Sequence, residues 1–151
     1  MKVARIYTRG VLATTREASI AEAAAAMQRF KVGSLLVFEQ DQRDGAPAGI
    51  ITDRDIALQG FASEASNVGS AMTPVVATVA EEADVHEALE LMRAHGVRRL
   101  VVTGPRGRIC GILSIDDIVD GLSADLAAAA AVLKGEVRRD AAGLGDVRVG
   151  G

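Results

Sequence analysis

The chain is poor in the residues that mark most chemically active classes. Its 151 residues include one cysteine, no tryptophan, one tyrosine and three phenylalanines. A lone cysteine, Cys110, excludes an internal disulfide framework and fits a reducing compartment; within Ile109-Cys-Gly-Ile it reads as a buried strand residue. Four aromatics, with 17 basic against 20 acidic residues and a net charge of −3, supply neither the basic groove nor the stacking platform of a single-strand nucleic-acid binder. Nucleic acid is therefore not an expected partner. There is no G-x-x-x-x-G-K-[ST] phosphate loop and no G-x-G-x-x-G after a strand, so ordinary nucleotide hydrolysis is not expected. His86 falls on an early helical turn, and His95 precedes Gly96, where a cation suits a helix end. Two histidines and one cysteine make no recognisable zinc site, and no Ser-His-acid set emerges from spacing. The N-terminal MKVARIYTRG has no apolar core of a signal peptide. The longest strongly apolar run, Leu126 to Leu133, has eight residues, too few to span a bilayer. The expectation is a soluble, cytoplasmic protein with no catalytic residues, no metal and no catalytic cofactor.

What the chain does have is a repeat. Shifted by 65, Val3, Val11, Ala18, Glu22, Ala23, Met27, Val32, Leu35 and Val37 meet Val68, Val76, Ala83, Glu87, Ala88, Met92, Val97, Leu100 and Val102. A loop of different length follows, DQRDGAPA in one copy and GPRGRIC in the other. With a shift of 62, GIITDRDIA (49–57) then meets GILSIDDIV (111–119). Two copies are too few for a solenoid, so a pseudo-symmetric pair on one core is expected. The divisions are 1–60, 61–122 and a tail, 123–151.

Each copy carries the same local signals. Ser19-Ile-Ala-Glu22 and Asp84-Val-His-Glu87 read as helix N-caps with an acid three residues on. Ile20, Ala23, Ala24, Met27 and Phe30 recur at helical spacing, as do Val85, Ala88, Leu89, Met92 and His95. Lys31-Val-Gly33 and Gly96 stop these helices. Short apolar runs follow at 35–38 and 100–102, then at 49–51 and 111–113, and a second helix opens at Thr52 or Ser114. The order helix–strand–strand–helix, twice, predicts an α/β (α+β) fold with small sheets covered on one side by helices, each copy's two strands forming a hairpin. In the tail, Ser123 is placed to cap a helix with Leu126, Ala130, Leu133 and Val137 on one face; the end, AAGLGDVRVGG, has little to bury.

The most informative pair is Gly49-Ile-Ile-Thr-Asp-Arg-Asp55 and Gly111-Ile-Leu-Ser-Ile-Asp-Asp117. Each opens a helix with a hydroxyl and places a carboxylate three residues later, which is the pattern of a capping box. The same parts suit a nucleoside phosphate. Helix N-termini attract phosphate, the hydroxyl bonds a phosphate or sugar oxygen, the aspartate accepts from ribose hydroxyls, and the glycine lets backbone approach a flat base. Asp53, Arg54 and Asp116 read as solvated first-turn charge.

These two segments, with MTPVVATV (72–79) and HGVRRLVV (95–102), resemble a tandem cystathionine-β-synthase (CBS) domain pair over roughly residues 1–122. The resemblance implies two βαββα repeats packed as a Bateman module, here followed by a C-terminal helix, and a dimer of modules forming a disc. It also implies adenosyl ligands (AMP, ADP or ATP, with NAD(H) or S-adenosylmethionine as further options) in clefts that mix both copies. Carried over by position, cleft A takes Tyr7, Leu12, Val32 and Gly33 with Arg99, Ile112, Ser114 and Asp117. Cleft B takes Met72, Ala77, Val97 and Arg98 with Ser34, Ile50, Thr52 and Asp55. Arg99 stands where relatives place a phosphate-facing basic residue, and its counterpart in cleft B is Ser34. A guanidinium binds phosphate through two parallel hydrogen bonds, so cleft A is expected to hold phosphorylated ligand more tightly. Arg98 and Arg99 also fit solvated strand ends, and Tyr7 fits a core or interface position as well as a base contact.

Three functions compete: a regulatory adenine-nucleotide sensor acting on an unidentified partner protein, a dimerisation scaffold without a physiological nucleotide, and an enzyme on a phosphorylated substrate. The sensor is favoured. It works by linkage, with a ligand that bridges both copies shifting the population of their arrangements. No catalytic or transport domain occurs in these residues, so the target is expected to be a separate chain.

Overall fold

The structure, a computed structural model, describes residues 1–39, 45–59, 67–75 and 77–143, with 136–143 described by backbone alone. Val76, the loop residues 40–44 and the tail from 144 lie outside the described residues, and so does the side chain of Val137.

The element order repeats as the sequence does. After a 3-10 turn at Val3–Arg5 come β1 (Thr8–Arg9), β2 (Ala13–Thr15), α1 (Ile20–Phe30), β3 (Ser34–Phe38), β4 (Gly49–Thr52) and α2 (Asp53–Gln59). The second copy gives α3 (Val68–Ala71), β5 (Thr73–Pro74), β6 (Thr78–Ala80), α4 (Val85–His95), β7 (Arg99–Thr103), β8 (Ile109–Ser114) and α5 (Ile115–Gly143). The expected hairpins form. β3 runs antiparallel to β4 with Ser34 opposite Thr52, and β7 runs antiparallel to β8 with Arg99 opposite Ser114. β2 lies parallel to β3, and β6 to β7.

Each sheet is completed by the other copy's leading segment, a crossing that the repeat alone does not reveal. The sheets run β2-β3-β4-β5 and β1-β8-β7-β6. The crossing is symmetric down to its hydrogen bonds: Val3 N donates to Ala83 O at 3.0 Å and Val68 N to Ala18 O at 2.9 Å. Ala4 N donates to Glu81 O, and Gly69 N to Arg16 O, both at 2.9 Å.

Alternation along the strands builds three cores. Leu35, Val37 and Ile51 face α1, and Leu100, Val102 and Leu113 face α4. The intervening Leu36, Phe38, Ile50, Val101 and Ile112 meet between the sheets. Both faces are buried, so the strands read as unbroken apolar runs rather than alternating ones. Burying each such side chain stabilises the fold by ~1.5–3 kcal/mol.

Local chemistry sets the helix ends. Ser19 Oγ accepts from Glu22 N at 3.0 Å while Ser19 N donates to the Glu22 carboxylate at 3.1 Å, the reciprocal box expected there. At α4, Asp84 accepts from His86 N at 2.9 Å. That amide, joined by the N-terminal ammonium, holds the Asp84 carboxyl below its ordinary pKa. Both helices stop on a left-handed residue, Lys31 (φ 53°) and Gly96 (φ 64°); Lys31 takes this conformation despite its side chain.

One expectation needs correction. Ser123 caps nothing, because residues 115–143 form one helix of 29 residues, about 43 Å long. The Ser114 start is followed by alanine-rich sequence with no proline, and alanine is the best helix former, so the helix has no reason to restart at 123. Of the places the sequence left open for Tyr7, the structure gives it the core one. It is buried with Val3 and Leu100 on the α4 side of its sheet, where its hydroxyl donates to Glu81 Oε2 at 3.2 Å and accepts from Arg9 Nη1 at 2.7 Å. Burial first, and the Glu81 carboxylate next, raise its pKa above the ordinary phenol value. No helix among the described residues is long and apolar enough to cross a membrane.

Candidate functional site

Both G-h-h-[ST]-x-x-D segments fold as reciprocal caps. Asp55 N donates to Thr52 Oγ1 at 3.1 Å and Thr52 N to Asp55 Oδ2 at 2.9 Å. Asp117 N donates to Ser114 Oγ at 3.1 Å and Ser114 N to Asp117 Oδ2 at 2.8 Å. The cap and a ligand role are compatible: the cap engages one oxygen of each carboxylate, and the capping hydroxyl only accepts in it.

The leading glycines answer to the crossing chain rather than to a base. A Cβ on Gly111 would run into the carbonyl oxygen of Thr8 and lie 2.8 Å from the Tyr7 ring. A Cβ on Gly49 would lie 2.7 Å from the carbonyl oxygen of Thr73, beside the Met72 sulfur. Each glycine is therefore the point where the other copy's segment passes against the sheet.

A cavity of about 540 Å³ opens between the two repeats, within the usual range for small-molecule sites. Six residues of the second expected set share its wall: Ile50, Thr52 and Asp55 from β4 and α2, with Ala77, Val97 and Arg98 from the other repeat. Met72 and Ser34 do not line it. Met72 packs into the first core, and its place is taken by Thr73, Pro74 and Val75. The wall also includes the apolar Leu58 and Val101.

Arg99 lines this cavity too, which separates it from the set to which position assigned it. Strand parity is the reason. Leu100 and Val102 turn toward α4, so Arg99 and Val101 turn into the gap between the sheets. At the open end of β7 that gap is the cavity. The rest of the first set is not gathered on this wall. Leu12 and Val32 pack against the first core, Ile112 lies between the sheets, Gly33 sits beside Asp53, and Tyr7 is in the second core. Ser114 and Asp117 keep their cap at the start of α5.

The sequence reading missed the cavity's remaining charges. Asp53, Arg54 and Asp116, read there as solvated, are exposed yet stand on its wall. The signal was present, because a shift of 62 superposes Arg54 on Asp116; one inter-repeat space bounded by both helix starts brings the two positions together. The wall holds three arginines and three aspartates, and no histidine, cysteine or lysine. Cys110 lies in β8, half-buried rather than buried. Among the described residues no group of three or more His, Cys, Asp or Glu side chains is placed to hold a metal ion.

Comparison with known proteins agrees with this fold. The family model for the CBS domain matches twice, at residues 3–59 and 68–124. An uncharacterised 17.7 kDa protein of Acidianus ambivalens is 36% identical over 122 residues, 80% of this chain and 73% of that protein. A CBS-domain-containing protein from Agrobacterium tumefaciens superposes with a TM-score of 0.59 at 33% identity, covering 75% of this chain and 90% of that one. A CBS domain protein from Pyrobaculum aerophilum, solved in complex with AMP, superposes with a TM-score of 0.63 at 26% identity, covering 78% and 89% of the two chains.

Proposed function

We propose, because this chain belongs to the CBS domain family, that it is a regulatory module that binds an adenosyl ligand between its repeats and passes the bound state to a partner protein. The observation that carries the proposal is a cavity whose wall holds both Thr52 and Asp55 from one repeat and Arg98 and Arg99 from the other. Asp55 accepts from the ribose hydroxyls through its carboxylate. Arg98 and Arg99 hold phosphate by charge-assisted hydrogen bonds. Ile50, Val97, Ala77 and Leu58 give the base an apolar wall. The relative solved with AMP supports this ligand class; ADP, ATP, NAD(H) and S-adenosylmethionine share the adenosyl group. With Arg99 on this wall, the phosphate-binding cleft is the one at Thr52 and Asp55, and the Ser114–Asp117 segment is the weaker candidate.

The mechanism is linkage rather than turnover. A ligand touching both repeats favours the arrangement that closes on it and shifts the population by its differential affinity. Asp116, in the first turn of α5, is part of the cavity wall, so any rearrangement there moves the start of a 29-residue helix. That helix is the proposed reporter to the partner.

Thermal unfolding with AMP, ADP, ATP, NAD, NADH and S-adenosylmethionine tests the proposal. A ligand at about 100 times its Kd adds ~2.7 kcal/mol, raising Tm by roughly 5–10 °C for a domain of this size. An increase with adenine ligands that guanosine and cytidine analogues do not reproduce is the expected result. No increase with any adenosyl ligand would contradict the proposal.

One observation favours the scaffold reading alongside it. Val119, Leu122, Leu126 and Leu133 are exposed on α5, and their spacing follows the three-four rhythm of a helix–helix seam. Self-association through this face is expected, with a dimer mass in light scattering that Leu126→Lys reduces to the monomer. A wild-type monomer would contradict it.

A further inference from the structure

We infer that the cavity selects its ligand by charge, taking a nucleoside monophosphate over a di- or triphosphate, and that Asp116 is the residue that sets this selectivity; the inference rests on the binding function proposed above. The wall carries Arg54, Arg98 and Arg99 against Asp53, Asp55 and Asp116. Among the described residues none of these six forms an ion pair within 4.0 Å, so no carboxylate is neutralised by a direct partner.

The three acids are engaged differently. Asp55 gives Oδ2 to the Thr52 amide at 2.9 Å. Asp53 gives Oδ1 to the Arg54 amide at 2.8 Å and leans toward Gly33. Asp116 comes from the other repeat, exposed on the first turn of α5, at the repeat position of Arg54. Arginine at both repeat positions would give the wall four guanidinium groups against two carboxylates. Aspartate at 116 instead balances three against three, so the wall has no formal surplus of either sign.

A monophosphate brings about −1.5 to −2 charges at pH 7, a load that Arg98 and Arg99 together match. Every further phosphate adds negative charge that only Arg54 is left to meet, and it does so in a space shared with the Asp116 carboxylate, which offsets that one guanidinium. A unit charge some 6–8 Å away in a partly screened cavity changes affinity by about five- to tenfold.

The test is the Kd of AMP and of ATP, measured by calorimetry on the full chain without Mg²⁺ and at fixed ionic strength. Wild type is expected to bind AMP at least about tenfold more tightly than ATP. Asp116→Asn is expected to narrow that ratio by about five- to tenfold, with AMP affinity held within about threefold. Asp120→Asn, on the same helix but off the cavity wall, is expected to leave the ratio unchanged. Should Asp116→Asn fail to fold, Asp116→Ser serves in its place. Three results would each overturn the inference: ATP bound as tightly as AMP by wild type, a ratio unmoved by Asp116→Asn, or a ratio narrowed equally by Asp120→Asn. All three leave the binding function standing. Absence of binding by AMP, ATP and adenosine alike would instead overturn that function and this inference with it.

Discussion

Arg99→Ala is expected to weaken AMP binding by about ten- to a hundredfold while the protein stays folded. A hydrogen bond to a charged group is worth ~1.5–3 kcal/mol, and each ~1.4 kcal/mol is tenfold in Kd. Arg99 is half-buried at the end of β7 and has no ion pair within 4.0 Å among the described residues, so its removal strands no buried carboxylate. The core residues of the strand, Leu100, Val101 and Val102, are fully buried and untouched by the change. Adenosine, which lacks the phosphate, is the control. Calorimetric titration should show a loss confined to AMP, with adenosine affinity changed by less than about threefold. Equal losses for both would mean that Arg99 shapes the cavity rather than holds phosphate, and no loss would remove it from the site.

Gly111→Val is expected to destabilise the fold by ~2–4 kcal/mol, within the range of severe core substitutions, and so to lower Tm by roughly 5–15 °C. The side chain would displace the Thr8 carbonyl and press on the Tyr7 ring. β1 would leave β8, and the turn that buries Val3 completely would lose its seat. Gly49→Val should act likewise by unseating Thr73–Pro74 from β4. Gly135→Ala is the contrast: it lies inside α5 with nothing within 4 Å of a Cβ, and Gly to Ala in a helix gains up to ~1 kcal/mol. Thermal unfolding of the three variants reads the difference. A Gly111→Val protein as stable as wild type would mean that the crossing contributes nothing to stability.

The crossing also shows where sequence reasoning stops. The repeat, the capped helices and the hairpins were legible because they rest on local chemistry and on periodicity: Ser19 with Glu22, Thr52 with Asp55, and apolar runs of strand length. The exchange of leading segments was not, because β1 and β5 are two residues long and carry no alternation to reveal which sheet they join. The two motif glycines were visible, but their purpose depends on a neighbour from the other repeat. Ser123 misled because a serine caps a helix only where the preceding chain is not already helical, and here it is. Arg99 was grouped by position with Ser114 and Asp117, whereas the structure puts it on the cavity wall with Thr52 and Asp55. Its side of the gap is fixed by strand parity against two cores, which emerges only when the sheets are stacked. Asp116 and Arg54 were each plausible as solvent-facing charge, and only the space between the repeats makes them neighbours of one cavity.

The proposed regulation rests on the same geometry. The cavity takes one wall from β4 and α2, another from β7, and an edge from the first turn of α5. A ligand that draws these together alters the place where the longest helix of the described residues begins. Under the proposed function, any coupling to a partner would be bounded by the difference between the ligand's affinities for the two arrangements.

The central claim is that the space between Thr52–Asp55 and Arg98–Arg99 is the adenosyl site. A crystal structure of the full chain grown with AMP tests it most directly. The account predicts the ribose within hydrogen-bonding distance of the Asp55 carboxylate and the phosphate on Arg98 or Arg99. Nucleotide seated instead at Ser114 and Asp117, or on the outer surface with this cavity unfilled, would contradict it.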